Sequence, residues 1–246
     1  MKPVERKNLS DQIYYQLRDD ILNQTFLPGD RLPSERELCD IMQINRSSVR
    51  EALKRLEQAR LIEIRHGQGS TVLDFKYHAG FDVLSDLILQ PGEINFITWR
   101  SIIELRTVFC VESAKLAALR IQAPELEKLS HIIERIVQYS NTDTAEYQRY
   151  DWEFHYTLAI ASENIALLLI YNTVKDVYLK IPEQFIAMFT QSMRSPDIYW
   201  KIYDALKHHD PEKAGKYCYE LVETGNREFL KLFEANIEQG KAANTP

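Results

Sequence analysis

The chain has 246 residues, 45% of them hydrophobic, so it can bury a core and form two domains. No apolar run reaches the roughly 18 residues that cross a bilayer, and the charged first residues lack the apolar middle of a secretory signal. We therefore expect a soluble, cytoplasmic protein. The three cysteines, Cys39, Cys110 and Cys218, are widely separated, which argues against a disulfide framework and a zinc finger.

The acidic excess of the chain lies in its C-terminal part. The net charge is −6, but residues 1–74 contain twelve Lys or Arg and twelve Asp or Glu, whereas the remainder contains 18 and 24. Within the neutral part, residues 46–65 contain six Lys or Arg and only three Glu. A basic stretch beside an acidic body predicts a DNA-facing N-terminal end.

Three helices are predicted near the N-terminus. Residues 10–24 have the apolar spacing of an amphipathic helix. Ser34 and Glu37 have capping-box spacing, which predicts a short second helix, and Asn45 can cap a third. Two helices joined by about three residues predict a helix-turn-helix, in which the start of the second helix enters the DNA major groove.

A β-hairpin is predicted directly after these helices. Residues 61–65 alternate like a strand, residues 66–69 form a glycine-flanked turn, and residues 70–73 supply the partner strand. Such a tip lets the backbone approach phosphates or a minor groove, with His66 as a hydrogen-bond donor. The alternative interpretation of the basic third helix is a solvated helix end that carries ordinary surface charges.

From Phe81 onward, apolar residues recur at helical spacing in segments separated by proline, glycine, asparagine or aspartate. This pattern predicts six or seven helices, no sheet, and an antiparallel bundle. The predicted fold class is therefore mainly α. A winged helix-turn-helix DNA-binding domain is expected over residues 1–75, and an all-helical effector-binding and dimerisation domain over residues 76–240.

The segment from Pro28 to Val72 resembles the GntR family of bacterial transcription regulators, and residues 78–235 are similar to the FadR branch of that family. The resemblance implies that eight residues contact a double-stranded DNA operator: Arg36, Asn45, Arg46, Ser47, Ser48, Arg50, His66 and Gly67. We expect two bundles to pair, so that a homodimer binds a short palindrome, and ligand binding to release the DNA.

The resemblance also implies a small acidic metabolite as effector, with an acyl-coenzyme A favoured. Arg106 lies in a helix among apolar neighbours, where a guanidinium requires an acidic partner. It either pairs with a carboxylate on another helix or anchors the anionic head of a ligand. Six further effector-binding residues are predicted: Asp151, His155, Tyr178, Phe185, Tyr219 and Thr224. Aromatic residues at this spacing are alternatively plain core.

Many relatives in this branch hold a divalent metal with one aspartate and three histidines. Asp151 and His155 are four residues apart on one helix face and are the candidate ligands, but Tyr199 and Leu221 stand where two histidines would be. Two protein ligands make a weak site, so we expect no metal and no other cofactor. Helix packing or a hydrogen bond is the alternative role of the pair. A metal-assisted regulator that senses an organic acid is the alternative function.

Two further classes of protein are an enzyme and a helical adaptor. None of the GxSxG, HExxH, GxGxxG and GxxxxGKS motifs occurs in the sequence, so we expect no enzyme. A helical adaptor would use the same winged helix to bind a protein. In an adaptor, binding through the cationic turn would not depend on DNA or salt.

Overall fold

The structure is a computed structural model that describes residues 9–88, 96–180 and 196–243. The chain divides into two compact units, Met1–Gln90 and Pro91–Pro246. Among the described helices, none is both long enough and apolar enough to span a membrane.

The first unit contains five helices and one hairpin within its described residues. In chain order they are α1 (Leu9–Leu22), α2 (Glu35–Met42), α3 (Arg46–Gln58), β1 (Ile62–Arg65), β2 (Gly69–Val72), α4 (Phe75–His78) and α5 (Val83–Ile88). The strands are antiparallel, with Ile62 opposite Val72 and Arg65 opposite Gly69. The predicted helix-turn-helix and hairpin are confirmed.

Local hydrogen bonds define the turn between α2 and α3. The backbone N–H of Glu37 donates to Ser34 Oγ at 3.3 Å, and the backbone N–H of Ser34 donates to Glu37 Oε2 at 2.7 Å, which completes the predicted capping box. Hydrogen bonds from the side chain and the backbone N–H of Ser34 to its carboxylate lower the pKa of Glu37. Gln43 ends α2 in the left-handed region, at φ +54°. Asn45 then caps α3, as the sequence predicted.

An apolar core fixes α3 against α1. Its buried side chains come from every element except α4, and they include Ile13, Leu17, Leu38, Val49, Leu53, Leu56, Ile62, Val72 and Val83. The unit extends beyond residue 75, where the sequence placed the boundary, for two reasons. Val83 of α5 is only 2% exposed in this core, and Arg18 Nη1 lies 2.6 Å from Asp86 Oδ1.

The second unit contains six helices within its described residues. They are α6 (Phe96–Arg120), α7 (Ala123–Tyr139), α8 (Thr144–Ala161), α9 (Ile165–Lys180), α10 (Asp197–Lys207) and α11 (Pro211–Ala243). No strand occurs in these ranges, so the all-helical prediction is confirmed. The contacts pair α6 with α11 and α7 with α8. At Gly215 of α11 a Cβ would come within 2.8 Å of Lys115 Cγ, so glycine permits a close approach of α6.

Candidate nucleic-acid interface and buried polar cluster

The N-terminal turn of α3 is organised by Asn45. Its Oδ1 accepts hydrogen bonds from the backbone N–H of Ser48 at 2.9 Å and from Ser47 Oγ at 2.6 Å. The Asn45 oxygen is therefore engaged inside the helix, and its side-chain NH₂ group can donate outward. The cap thus stabilises α3 and still leaves a polar group at the helix end that meets DNA in helix-turn-helix proteins.

Three predicted arginines lie on the exposed side of α2 and α3. Arg46 is exposed and makes no hydrogen bond or ion pair with any of the described residues. Arg50 Nε lies 3.0 Å from Glu35 Oε1, and Arg36 Nε lies 3.9 Å from Asp40 Oδ2, with side chains 68% and 82% exposed respectively. Such exposed pairs are weak, so these cations can exchange their partners for phosphates.

The tip of the hairpin lies beside this helix. Gly67 and Gly69 have φ values of +74° and +88°, a backbone conformation that glycine adopts without strain. One groove is lined by Ser47 and Arg50 of α3 and by His66 and Gly67 of the tip. The structure therefore brings four of the eight predicted DNA contacts together. Glu35 and Lys54 line the same groove and were not predicted, although Lys54 follows Arg50 by one helical turn.

A buried polar cluster occupies the core of the second unit. Asp151 of α8 is 1% exposed and accepts hydrogen bonds on both carboxylate oxygens, from Tyr199 Oη at 2.6 Å and from Tyr178 Oη. Tyr147 Oη lies 3.0 Å from Tyr199 Oη and extends the network. Burial, and then the charge of Asp151, raise the pKa values of Tyr178 and Tyr199 well above the ordinary value. Both phenols therefore stay protonated and donate.

Arg106 connects this cluster to α11. Its Nη1 donates to Asn226 Oδ1 at 3.0 Å, and Asn226 Nδ2 donates to Thr107 Oγ1 at 2.8 Å. The side chain is partly exposed, but its Nη2 atom is buried. Burial opposes the charge, yet the nearby Cys110, Tyr178 and Asp151 raise the pKa of Arg106, so it remains a cation. One partner of Arg106 on another helix is therefore the amide of Asn226.

His155 lies next to Asp151 and is 3% exposed. Its Nε2 is 3.7 Å from Asp151 Oδ1, and neither ring nitrogen makes a hydrogen bond to a nitrogen or oxygen atom of the described residues, although the thiols of Cys110 and Cys218 lie beside the ring. Burial lowers the pKa of His155, but Cys110 and Asp151 raise it well above that of an ordinary histidine. A buried polar side chain without a hydrogen bond is rare in proteins and marks a position where a ligand or water can bind.

The residues around Asp151 and His155 do not fit a metal ion. No group of three or more His, Cys, Asp or Glu side chains within the described ranges is arranged to hold one. Leu221 has no donor atom, and the Tyr199 hydroxyl donates to Asp151 instead of offering a ligand. A tightly held transition metal needs three or four protein ligands.

Two further predicted effector residues lie on the last helix. Tyr219 and Thr224 are on the exposed side of α11, because Cys218, Leu221, Val222, Asn226 and Phe229 form its buried side. Thr224 Oγ1 donates to its own helix, at the carbonyl oxygen of Glu220. Tyr219 lines a surface groove together with Asn226, so the effector roles of Tyr219 and Thr224 stay predictions, and Phe185 lies outside the described residues. Asn226 was missed, although a polar residue in the apolar stripe of α11 is a readable signal.

The chain matches two families along its length. Residues 9–72 match the bacterial regulatory proteins of the gntR family, and residues 101–224 match the FCD domain. Over 232 residues the chain is 34% identical to the HTH-type transcriptional regulator Mce2R of Mycobacterium tuberculosis, covering 94% of this chain and 96% of that protein. The chain belongs to the gntR family of bacterial regulatory proteins.

Two further similar proteins are a curated relative and a solved structure. The HTH-type transcriptional repressor NanR of an Enterobacter strain is 30% identical, covering 87% of this chain and 83% of that protein. The solved structure of Lar, described as controlling the Listeria monocytogenes agr system, is 20% identical with a TM-score of 0.59, covering 93% of this chain and all of that one. Lar shows the shared fold alone. This gntR-family protein is thus a DNA-binding transcription regulator with an FCD effector domain.

Proposed function

We propose that this regulator binds a palindromic operator as a homodimer, through α3 and the hairpin, and that a small acidic metabolite in the FCD domain changes its affinity for DNA. The observation that carries the proposal is the shared groove of α3 and the hairpin tip, where Arg50 and Ser47 face His66 and Gly67. Because the regulator acts on the chromosome, we place it in the cytoplasm.

The two sides of the groove suit different parts of a duplex. The start of α3 presents Arg46 and Arg50, whose guanidinium groups can read guanine in the major groove or bind phosphates. The hairpin tip offers His66 and the glycine backbone to phosphates or a minor groove. Arg36, Asn45, Ser47 and Ser48 complete the proposed set of DNA contacts.

Two exposed apolar side chains on one side of α6, with Glu112 and Lys115 between them, support pairing of two copies. Val108 and Leu119 are 66% and 59% exposed, and their separation of eleven residues places them three turns apart on one side of the helix. Exposed apolar surface of this kind marks association sites. We therefore place the homodimer contact on this face, and a two-fold dimer positions two α3 helices on two half-sites.

The buried cluster supports an anionic effector. His155 makes no hydrogen bond to a nitrogen or oxygen atom of the described residues, and Arg106 brings a second cation to the same region. A carboxylate or phosphate group can accept hydrogen bonds from both side chains. Asp151 and Tyr178 belong to the same proposed site. The narrower FadR-type proposal is an acyl-coenzyme A, and the alternative is a small organic acid.

The test combines selection of DNA with identification of the ligand. Selection from a random duplex pool should return one palindrome, and fluorescence anisotropy should show that Arg46→Ala weakens binding to it. Native mass spectrometry of the purified chain should show a dimer that carries an acyl-coenzyme A or an organic acid, which separates the two effector proposals. Selection without any consensus sequence would refute operator recognition.

The effector role of Arg106 needs a variant that keeps its charge. Arg106→Lys retains the cation and loses the bidentate geometry. We expect it to bind the operator like the parent chain and to respond more weakly to the ligand. Unchanged ligand response in this variant would favour a purely structural role for Arg106.

A further inference from the structure

The carboxylate of Asp151 is held by two phenols from two other helices. Tyr178 comes from α9 and Tyr199 from α10, so this carboxylate connects three helices of the bundle. Tyr147, one turn before Asp151 on α8, supports Tyr199 from the other side at 3.0 Å. We call Tyr147, Asp151, Tyr178 and Tyr199 the tyrosine clamp.

Within the described part of the cluster, the Asp151 carboxylate is also the charged group with oxygen ligands that lies beside His155. The distance of 3.7 Å between His155 Nε2 and Asp151 Oδ1 is compatible with two ligands of one ion, since bonds from zinc to nitrogen and oxygen are about 2.0–2.2 Å. However, the Tyr199 hydroxyl lies 2.6 Å from that same Oδ1 and donates a proton to it. A protonated phenol at this position occupies the carboxylate lone pair that an ion would use.

We propose that the tyrosine clamp takes the place of a metal ion in this bundle, and that Tyr199 is the residue that prevents a metal ion from binding. The hydroxyls of Tyr178 and Tyr199 orient Asp151 and tie α8 to α9 and α10. The FCD domain is therefore complete without a metal. If the proposed anionic effector binds here, it contacts His155 directly, a consequence that rests on the proposed function.

The proposal predicts a gain of metal binding from one substitution. In Tyr199→His an imidazole replaces the phenol, so a third ligand joins Asp151 and His155 and the hydroxyl no longer competes for Oδ1. Its shorter side chain leaves room for an ion. The full-length chain is stripped with EDTA and desalted, and thermal unfolding is then followed with and without ZnCl₂, alongside native mass spectrometry.

The parent chain should show no rise in Tm with zinc and no retained ion. Tyr199→His should bind one zinc ion per chain and gain several degrees in Tm on adding zinc. Two control variants identify which groups cause the gain of zinc binding. Tyr199→Phe removes the hydroxyl without adding a ligand and should stay insensitive to zinc, while Asp151→Asn added to Tyr199→His should abolish the gained response.

Two results would overturn the proposal. One is a parent chain that retains a metal ion, or whose Tm rises with zinc, in a manner that Asp151→Asn or His155→Ala removes. The other is a folded Tyr199→His protein that binds no zinc, since Tyr199 would then not be decisive. If Tyr199→His fails to fold even with zinc, the claim about Tyr199 is likewise rejected. These measurements involve neither DNA nor effector, so their outcome is separable from that of the proposed function.

Discussion

The two units of this regulator place the side chains that we propose as functional in opposite surroundings. The winged helix surrounds an apolar core with exposed polar groups, such as Arg50 with a side chain 68% exposed. The FCD domain instead buries Asp151, at 1% exposure, and His155, at 3%, within its core. If these residues have the proposed roles, function should be separable from stability in the first unit and coupled to it in the second. Substitutions that test each unit should therefore differ in what they change.

The largest effect is expected in the second unit. Asp151→Ala removes the shared acceptor of two buried phenols and the charge beside Arg106, so we expect a loss of about 4 kcal/mol in the free energy of unfolding. Urea denaturation followed by circular dichroism measures it. A loss below about 1 kcal/mol would mean that the cluster is not coupled to stability.

The matching substitution in the first unit is Arg46→Ala. We expect a loss of about 2 kcal/mol in operator binding, because we propose that this exposed cation contacts DNA, and a change of less than about 0.5 kcal/mol in the free energy of unfolding. Anisotropy titration and urea denaturation provide the two values. The control is Arg60→Ala, which removes a cation beyond the end of α3. A destabilised Arg46→Ala protein would break the comparison between the units.

A smaller effect is expected at Asn45, which caps α3 and is also a proposed DNA contact. Asn45→Ala removes the cap that accepts from Ser48 and should cost about 1 kcal/mol of stability. Asn45→Asp keeps the capping oxygen, so it should preserve stability and still weaken DNA binding, because it replaces an amide donor with a negative charge. Equal losses of stability in both variants would show that capping is not the relevant role.

The smallest effect concerns pH. Hydrogen bonds from Ser34 lower the pKa of Glu37 in the folded state. The stabilisation by its carboxylate is therefore fully present above the pKa of the unfolded chain, near 4.5, and is lost as the pH falls through the lowered pKa of the folded chain. The difference in Tm between the parent chain and Glu37→Ala should therefore be constant at neutral pH and shrink in acid. A difference that grows in acid would contradict this sign.

The sequence predicted local structure better than long-range contacts. The capping box at Ser34, the cap at Asn45 and the turns at Gly67 and Gly69 depend on neighbouring residues, so spacing and residue type were sufficient. The tyrosine clamp joins Tyr147 to Tyr199 across 52 positions, and only the packing of α8 against α10 brings them together.

Two differences between the sequence analysis and the structure have equally specific causes. The first compact unit continues past residue 75, because a short α5 buries Val83 in its core, which a six-residue helix does not reveal by periodicity. Tyr219 and Thr224 were assigned by resemblance, while the phase of α11 directs Leu221 and Asn226 inward.

The most direct test of the account is the ratio of affinities for a selected palindrome and for a shuffled duplex of the same length, measured by anisotropy at about 0.15 M salt. Recognition through α3 and the hairpin predicts a ratio of at least about 10³, reduced by Arg46→Ala. Equal affinity of the parent chain for both duplexes would contradict sequence-specific recognition by this surface.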